Sequence, residues 1–390
     1  MNVTFRTDNE ILYIALEGRI DASNANLAEQ KIFEIKHQNP DKHVVLDADL
    51  LEYISSAGLR VILKLRKECP KLAIINVSPE VYDVLDMTGF TDMVQVEKAY
   101  RRLSVEGCEF IAKGANGAVY RYDEETIVKT YFAKDALPEI LQERENARKI
   151  FVLGINTAIP YGIVRVGEGY GTVTELLNAN SITKLIKQDP ENLEIPAKHF
   201  VNMLKSIHAV EVEDETIPDM KAIALDWVNF VLPHLPKEKG EKLLSLVEAI
   251  PQSNTLLHGD YHSNNVMVQN DEPLLIDLDT VCKGHPIFEL ASMYNASLGF
   301  SELDPTEIER FMGYTTETSR RFWELSLKMY LGTDDDKVCK DVETKARVLG
   351  YVRVLRRAIR RPNDPESPAR IEYYKKMLNV IIDEVDTLEF

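Results

Sequence analysis

The sequence has few of the features that mark secreted, zinc-bound or membrane-spanning proteins. Its four cysteines, Cys69, Cys108, Cys282 and Cys339, lie far apart without a C-x-x-C pair, so neither a disulfide scaffold nor a zinc site is predicted. The apolar runs, such as "MLNVII" at 377–382, fall far short of the ~20 residues that span a bilayer. The N-terminus lacks the basic segment and cleavage site of a secretion signal. We therefore expect a cytoplasmic protein.

Positive charge is also scarce. The chain carries 46 Lys and Arg against 63 Asp and Glu, a net charge of −17. An acidic surface repels polyanions, so we expect neither nucleic acid nor a membrane as a partner. The charge would suit a cationic substrate without requiring one. The hydrophobic fraction of 45% is ordinary for a globular protein, and 390 residues are enough for two or three domains.

Residues 1–100 alternate between strand-like and helix-like patterns. The order strand, strand, helix, strand, helix, strand, helix, strand predicts a small α/β domain with helices on a mixed sheet. In the first helix, Leu27, Ile32 and Ile35 are predicted to share the buried face. Pro79 is expected to begin the last helix and Gly89 to close it.

The pattern changes after residue 100. Residues 101–177 read as strands broken by glycines, with one charged helix among them. Residues 178–390 are mostly helical, interrupted by "TLLHGDYHSNNVMV" and "EPLLIDLDT". The chain therefore predicts an α+β region of two lobes, one small and β-rich and one large and helical.

The β-rich lobe carries two features suited to phosphate. The turn "KGANGAVYR" contains Gly114, Gly117 and Val119, and glycines let backbone N–H groups approach a phosphate, although an ordinary hairpin also needs them. Lys129 lies within the apolar strand "IVKTY" and can place a point charge on phosphate oxygens. The alternative for Lys129 is a lysine that snorkels at a sheet edge.

The charged helix "EILQERENARKIF" supplies a candidate partner for this lysine. We predict that Glu145, sixteen residues after Lys129, pairs with it and holds it in place. Glu143 is the second choice, because two positions along a helix point to a different side. The alternative for either glutamate is a solvated surface position.

Two polar segments in the helical lobe are candidates for the chemistry. In "LLHGDYHSNNVMV", apolar residues flank a centre with His258, Asp260 and Asn265. Asp260 can accept the proton of an attacking hydroxyl or orient it, and Asn265 can bind Mg²⁺. In "LLIDLDT", Asp277 ends an apolar strand and can bind the same ion. A polar turn between two strands is the alternative.

These segments resemble the motifs H-G-D-x-x-x-x-N and I-D-[WFL]-[DE] of the aminoglycoside phosphotransferase and choline kinase superfamily. The resemblance covers residue 109 to at least residue 298 and implies a two-lobed protein-kinase-like fold that uses ATP and Mg²⁺. It implies Asp260 as catalytic base, Asn265 and Asp277 as magnesium ligands, and Lys129 with Glu145 as the phosphate anchor. "VTELLN" resembles the hinge between the lobes, where the backbones of Glu175 and Leu177 would meet adenine.

Details of the motif favour a small-molecule acceptor over a protein. Gly259 stands where most protein kinases carry arginine, and His262 stands where protein serine/threonine kinases usually place lysine. His262 would either touch the γ-phosphate or order the loop. "GHPIFELASM" resembles a G-D-P-x-x-D-L-A segment with His285 and Glu289 in place of its aspartates, which are usually structural. The implied enzyme moves the γ-phosphate to a hydroxyl of a small molecule, as in aminoglycoside or choline kinases.

The N-terminal region resembles the STAS domain of sulphate transporters and anti-sigma factor antagonists. The segment "VVLDADLLEYISSAGLRVIL" carries the resemblance, which covers residues 1–100. It places Ser56 at the position that is phosphorylated in the antagonists, although Ser55 and Ser56 could instead only cap a helix. A protein partner is implied. The alternative function is a kinase that acts on a protein serine such as Ser56.

A run of arginines near the C-terminus has two interpretations. Arginines recur at spacings of three and four, on one helical face opposite apolar residues. This face is either solvated or a docking surface for an acidic partner, such as the N-terminal domain. The arginines are Arg353, Arg356, Arg357, Arg360 and Arg361.

Overall fold

The computed structural model describes residues 1–114, 116–158 and 160–390. Ala115, within the predicted glycine-rich turn, lies outside the described residues. The chain forms two units. The first comprises Met1–Ser104 with Ile163–Glu168, and the second comprises Val105–Gly162 with Gly169–Phe390.

The first unit begins with a five-stranded sheet in the order β1-β2-β3-β4-β5. β1 and β2 are antiparallel, and the other neighbours are parallel. The predicted order of strands and helices is confirmed. The elements are β1 Asn2–Asp8, β2 Ile11–Ile20, α1 Ala25–Gln38, β3 His43–Ile54, α2 Ser56–Glu68, β4 Ala73–Val77, α3 Pro79–Met87 and β5 Gln95–Lys98.

The helix ends follow from local chemistry. The Ser78 hydroxyl accepts a hydrogen bond from Val81 N, and Pro79 fits the first turn of α3 because its missing N–H needs no partner there. Gly89 follows α3 with φ 74°, as a residue that closes a helix in the left-handed region does. Both predictions for this helix are confirmed.

Helix α1 corrects the predicted buried face. Leu27 is 51% exposed, whereas Ala25, Ala28 and Ile32 are buried. Positions 25, 28, 32 and 35 recur every three or four residues and so form one face, and position 27 lies off it. Small alanines, rather than Leu27, bring this helix close to the sheet.

The next strands are β6 Arg101–Leu103, β7 Glu109–Lys113, β8 Gly117–Arg121, β9 Thr126–Tyr131, β10 Pro160–Val166 and β11 Gly169–Glu175, and helix α4 spans Leu137–Val152. β6 pairs in parallel with Val164–Val166 of β10. β7, β8, β9 and β11 are antiparallel neighbours in that order. Gly117 is required for this pairing, since a Cβ there would lie 2.0 Å from the Thr130 carbonyl oxygen.

The rest of the second unit is mostly helical, which confirms the predicted combination of a β-rich lobe and a helical lobe. None of its described helices is both long enough and apolar enough to cross a membrane. The elements are β12 Asn180–Ser181, α5 Ile182–Gln188, α6 Glu194–His208, α7 Met220–Val231, α8 Lys237–Glu248, β13 Leu256–Leu257, β14 Val266–Gln269, β15 Glu272–Leu275, β16 Cys282–Lys283, α9 Ile287–Ser297, α10 Thr306–Met312, α11 Thr316–Leu331, α12 Asp336–Arg360 and α13 Ser367–Ile381.

A short hairpin brings the two polar segments together. β14 and β15 are antiparallel, with Val266 opposite Leu275. Beyond that pair, Ile276 N donates to the Asn265 carbonyl at 3.0 Å. Asn265 and Asp277 therefore lie at the same end of the hairpin, next to the loop of residues 258–265.

Candidate active site

Lys129 is the centre of a cluster of charges. Its Nζ lies 2.9 Å from Glu143 Oε1 on α4 and 3.0 Å from Asp277 Oδ1. The Tyr131 hydroxyl donates to Glu143 Oε2 at 2.7 Å. Burial alone would lower the pKa of Lys129, but the carboxylates of Glu143 and Asp277 outweigh it and raise that pKa. The lysine is therefore a fixed cation.

The predicted pairing of Lys129 with Glu145 is wrong. Glu145 points away from the lysine and pairs with Arg148, 2.7 Å distant on the outer side of α4. Glu143 takes the partner's place because it shares the buried side of α4 with Ile140 and Ala147, at spacings of three and four. The same side carries Asn146, whose amide donates to the Leu278 carbonyl at 2.8 Å and ties α4 to the segment after Asp277.

A buried carboxylate binds the backbone at the start of the loop of residues 258–265. Glu289, on α9, accepts hydrogen bonds from His258 N at 2.5 Å and from Gly259 N at 3.0 Å. Burial raises the pKa of Glu289 to about 7, against the lowering effect of these backbone donors. His285 contributes at the start of α9, where its ring accepts from Ile287 N at 3.2 Å. Both residues therefore have the structural contacts that the resemblance implies.

Asp260 projects from this loop into a network with α12. Arg353 donates to Asp260 Oδ1 at 3.1 Å, to the Gly259 carbonyl at 3.0 Å and to the Ser292 hydroxyl at 2.7 Å. Burial favours the protonated acid, but the hydrogen bond from His262 and the charge of Arg353 outweigh it and lower the pKa of Asp260. The side chain remains 41% exposed. Asp260 is thus an ionised, fixed and accessible acceptor.

His262 and Asn265 support the same loop. His262 Nε2 lies 3.6 Å from Asp260 Oδ2, and its ring packs edge-on against Phe311. The Asn265 amide donates to the Asp260 carbonyl at 3.0 Å. Within the described part of the chain, no hydrogen bond uses the side-chain oxygen of Asn265. That oxygen is available to another group.

The end of the β14–β15 hairpin has the donors that Mg²⁺ prefers. Asp277 adopts the left-handed region at φ 62°, uncommon for a residue other than glycine, and its carboxylate is 46% exposed. Burial and the charges of Asp277 and Glu143 raise the pKa of Asp279 to about 6. The raised pKa of Asp279 marks a local excess of negative charge. The Asp277 carboxylate and the free Asn265 oxygen therefore fit a hard divalent cation.

The residues predicted for the nucleotide lie on or next to strands β8 and β11, which pair with β9, the strand of Lys129. Val119 is opposite Lys129 in the β8–β9 pair, and Gly114 N donates to the Gly117 carbonyl at 2.9 Å at the base of the turn. A Cβ at Gly114 would meet no atom within 4 Å, so the turn is open beside it. Glu175 ends β11, and Leu177 follows it in the short connection to β12.

Ser55 and Ser56 of the first unit have different environments: one caps a helix and the other is exposed. Ser55 is the N-cap of α2, and its hydroxyl accepts from Gly58 N at 3.4 Å. Ser56 is the first helical residue and is exposed. The predicted capping role thus belongs to Ser55. Gly58 is required because a Cβ there would lie 2.7 Å from Ile54 and 2.8 Å from Ile20.

A comparison with protein families decides what this site belongs to. The model of the phosphotransferase enzyme family matches residues 107–323, more than half of the chain. The chain belongs to this family. Its phosphotransferase domain is preceded by a STAS domain, whose family model matches residues 2–104. The chain is therefore a phosphotransferase of the kinase-like fold with an N-terminal STAS domain.

Known proteins resemble each domain separately. BtrV of Bordetella bronchiseptica, assigned as an anti-sigma factor antagonist, is 32% identical over 100 residues, which are 25% of this chain and 85% of BtrV. Among solved structures, the ADP-bound aminoglycoside phosphotransferase APH(2'')-Ib is 14% identical, with a TM-score of 0.47 over 78% of this chain and 99% of that one. A choline/ethanolamine kinase family protein from Mesorhizobium loti is 12% identical, with a TM-score of 0.46 over 71% and 88%.

Some residues of the phosphotransferase domain escaped prediction. Arg353 was assigned to a helical face, but its partner Asp260 lies 93 residues earlier, and no sequence pattern connects the two. Asn146 and Tyr131 were also missed. For Glu143 and Asn146 a signal did exist, since both lie within one turn of the apolar positions Ile140, Ala147 and Ile150.

Proposed function

We propose that this protein transfers the γ-phosphate of ATP to a hydroxyl group of a small molecule. The observation that carries the proposal is the Asp260 carboxylate, which is ionised, accessible and fixed by Arg353. It lies in the loop that leads through Asn265 to the hairpin end with Asp277, and Asp277 contacts Lys129. A base and a phosphate anchor at one place are what phosphoryl transfer to an alcohol requires.

The proposed reaction exchanges one bond of the γ-phosphorus for another. The acceptor oxygen forms a bond to the γ-phosphorus as the bond between that phosphorus and the bridging oxygen breaks, and the electron pair leaves with ADP. The hydroxyl proton passes to Asp260, which also orients the oxygen. His262, 3.6 Å from the Asp260 carboxylate, keeps the loop in shape and lies near the transferred group.

The nucleotide and its metal are assigned to the residues around Lys129. Lys129, held by Glu143, binds phosphate oxygens, the turn with Gly114, Gly117 and Val119 covers them, and the backbones of Glu175 and Leu177 meet the adenine. Asn265 and Asp277 would hold Mg²⁺, which supplies positive charge to the phosphates.

Substitution of Asp260 tests the proposal. The Asp260→Asn variant keeps the side-chain shape but cannot accept a proton, so turnover measured as ADP release should fall by about 10²-fold or more. Binding of Mg·ATP, measured by calorimetry, should persist. The matched control is Asp334→Asn, at an exposed position of the same domain. Equal turnover in the two variants would remove Asp260 from the mechanism.

A protein-serine substrate is the second candidate, and the exposure of Ser56 favours it. The Ser56 hydroxyl is exposed. Because Ser55 caps the N-terminus of α2, Ser56 is not needed for that role. The STAS relatives named as anti-sigma factor antagonists suggest signalling through a protein partner. Intact-mass measurement after incubation with Mg·ATP separates the candidates, because only phosphorylation of the protein adds about 80 Da per phosphate. A gain lost in Ser56→Ala would favour the second candidate.

A further inference from the structure

Helix α12 carries a face of arginines that starts at the active site. Its first member, Arg353, donates to both Asp260 and the Gly259 carbonyl. The other members follow at spacings of three and four and run from there toward the C-terminal end of α12. The arginine face comprises Arg353, Arg356, Arg357, Arg360 and Arg361.

Beyond Arg353, this face lacks carboxylate partners. On the same helix, Arg347 lies 3.7 Å from Glu302, and Arg370 on α13 pairs with Glu307 and Glu366. In the portion of the chain that is described, no carboxylate lies within 4.0 Å of a guanidinium nitrogen of the last four arginines of the face. Asp226 and Asp260 act on Arg356 and Arg357 only from a longer distance, so these arginines have no direct ion pair, in a protein whose net charge is −17.

The electrostatic environment agrees with this geometry. Burial lowers the pKa of Arg357, and the charges of Arg361, Arg370 and Arg353 lower it further. Burial and the charge of Arg360 likewise lower the pKa of Arg356. These groups stay protonated, but each is destabilised by its neighbours. A bound anion would relieve that repulsion.

Aromatic rings hold the guanidinium groups without neutralising them. Arg356 lies over the rings of Trp227 and Phe230, at 5.6 and 6.0 Å from their centroids. Arg357 lies 5.9 Å from the centroid of Phe300. Stacking of this kind orients a planar guanidinium and leaves its N–H groups free for a carboxylate or a phosphate.

We propose that the acceptor is an anionic alcohol, whose carboxylate or phosphate binds the arginine face while its hydroxyl meets Asp260. This inference rests on the proposed phosphotransferase function and specifies its substrate class. Arg353 makes the arrangement workable, because it offsets the negative charge of Asp260 that would otherwise repel an anion. A cationic acceptor, which the net charge alone would suit, would instead meet four unpaired arginines.

A series of probes on one scaffold tests the charge preference. Glucose is neutral, glucuronate carries a carboxylate, glucose 6-phosphate carries a phosphate and glucosamine carries a cation. The measurement is the ADP release from Mg·ATP as each probe is added, which responds when a probe occupies the acceptor site. We expect glucuronate or glucose 6-phosphate to act at about tenfold lower concentration than glucose and glucosamine. The more effective of the two identifies a carboxylate or a phosphate as the bound group.

A matched pair of variants locates the effect. Arg357→Gln should raise the half-effective concentration of the better anionic probe by about tenfold and leave that of neutral glucose unchanged. The control is Arg320→Gln, at an arginine of α11 that lies 3.8 Å from Glu324. Preference for glucosamine, an equal or absent response to all four probes, or identical behaviour of the two variants would overturn the inference. If the protein neither binds Mg·ATP nor releases ADP, the phosphotransferase proposal itself fails.

Discussion

Two glutamates on α4, two positions apart, have different environments. Glu143 lies on the buried side and contacts Lys129, whereas Glu145 lies on the outer side with Arg148. A spacing of two residues turns a helix by about 200°, so only one of the pair can face the sheet. The hydrogen bond from Tyr131 further fixes the Glu143 carboxylate.

Replacing each glutamate by glutamine compares the two positions directly. In Glu143→Gln the lysine loses a charged partner and is drawn toward Asp277, so kcat/KM for ATP should fall by about 10- to 100-fold. Glu145→Gln should change kcat/KM little, because it removes only an exposed pair. Steady-state kinetics with varied Mg·ATP measures both. A larger loss in Glu145→Gln would mean that α4 rotates when the nucleotide binds.

At this scale the sequence predicted some site residues better than others. Lys129 and Asp277 do lie together, 3.0 Å apart, and Asp260 and Asn265 do share a loop. These residues belong to contiguous motifs whose spacing restricts their geometry. Arg353 and Glu289 were harder to interpret, because each acts across a contact that depends on how α12 and α9 pack against the loop.

The loop of residues 258–265 depends on the element that packs beneath it. Gly259 has φ 82°, and a Cβ there would lie 2.2 Å from the Thr280 carbonyl oxygen, so the loop can pass close to the next segment only with glycine. Glu289 then satisfies the backbone N–H groups that this tight path leaves unpaired. Its longer side chain performs the contact expected of the aspartate in the resembling motif.

Glu289 should make the stability of the phosphotransferase domain depend on pH. Its pKa in the folded protein is about 7, raised from the ordinary value of 4.5. As pH rises from 4.5 to 7, the unfolded chain releases this proton before the folded chain does, so the free energy of unfolding falls, by at most about 3 kcal/mol. Above pH 7 both states are ionised and the effect levels off.

The Glu289→Gln variant checks this sign. Glutamine cannot titrate, so its free energy of unfolding in urea should fall less between pH 5 and pH 7 than that of the wild type. Glu145→Gln serves as the control for removal of a surface carboxyl. Parallel pH profiles for wild type and Glu289→Gln would show that Glu289 is ionised in the folded protein throughout this range.

The order of elements was largely predictable because it depends on local patterns. Alternation identified the strands of the first unit, and Pro79 and Gly89 marked the ends of α3. The buried face of α1 was misjudged at Leu27, since alanines that pack closely give a weaker apolar signal than one exposed leucine. The pairing of β6 with β10 joins segments about 60 residues apart and had no local signal.

The described residues form two hydrophobic cores that share no residue. One lies in the first unit and includes Leu12, Ile14 and Leu46, and the other lies in the second unit and includes Tyr261 and Trp323. Residues that share one hydrophobic core unfold together, so we expect the two units, each with its own core, to unfold in separate transitions. Both tryptophans of the sequence, Trp227 and Trp323, belong to the second unit. Tryptophan fluorescence therefore reports that unit alone, whereas far-ultraviolet circular dichroism reports both.

Two perturbations should move these transitions independently. Leu46→Ala removes a fully buried side chain from the first core and should destabilise that unit by about 2–5 kcal/mol. The transition of the first unit, which is seen by circular dichroism and not by tryptophan fluorescence, should therefore move to lower urea concentration. Mg·ATP at about 100 times its Kd should stabilise the second unit by about 2.7 kcal/mol and shift the fluorescence transition. Urea unfolding of wild type and Leu46→Ala, each with and without Mg·ATP, measures both effects. If Leu46→Ala shifts the tryptophan transition as far as the dichroism curve, the two cores unfold as one, because a cavity in the STAS domain then weakens the phosphotransferase domain directly.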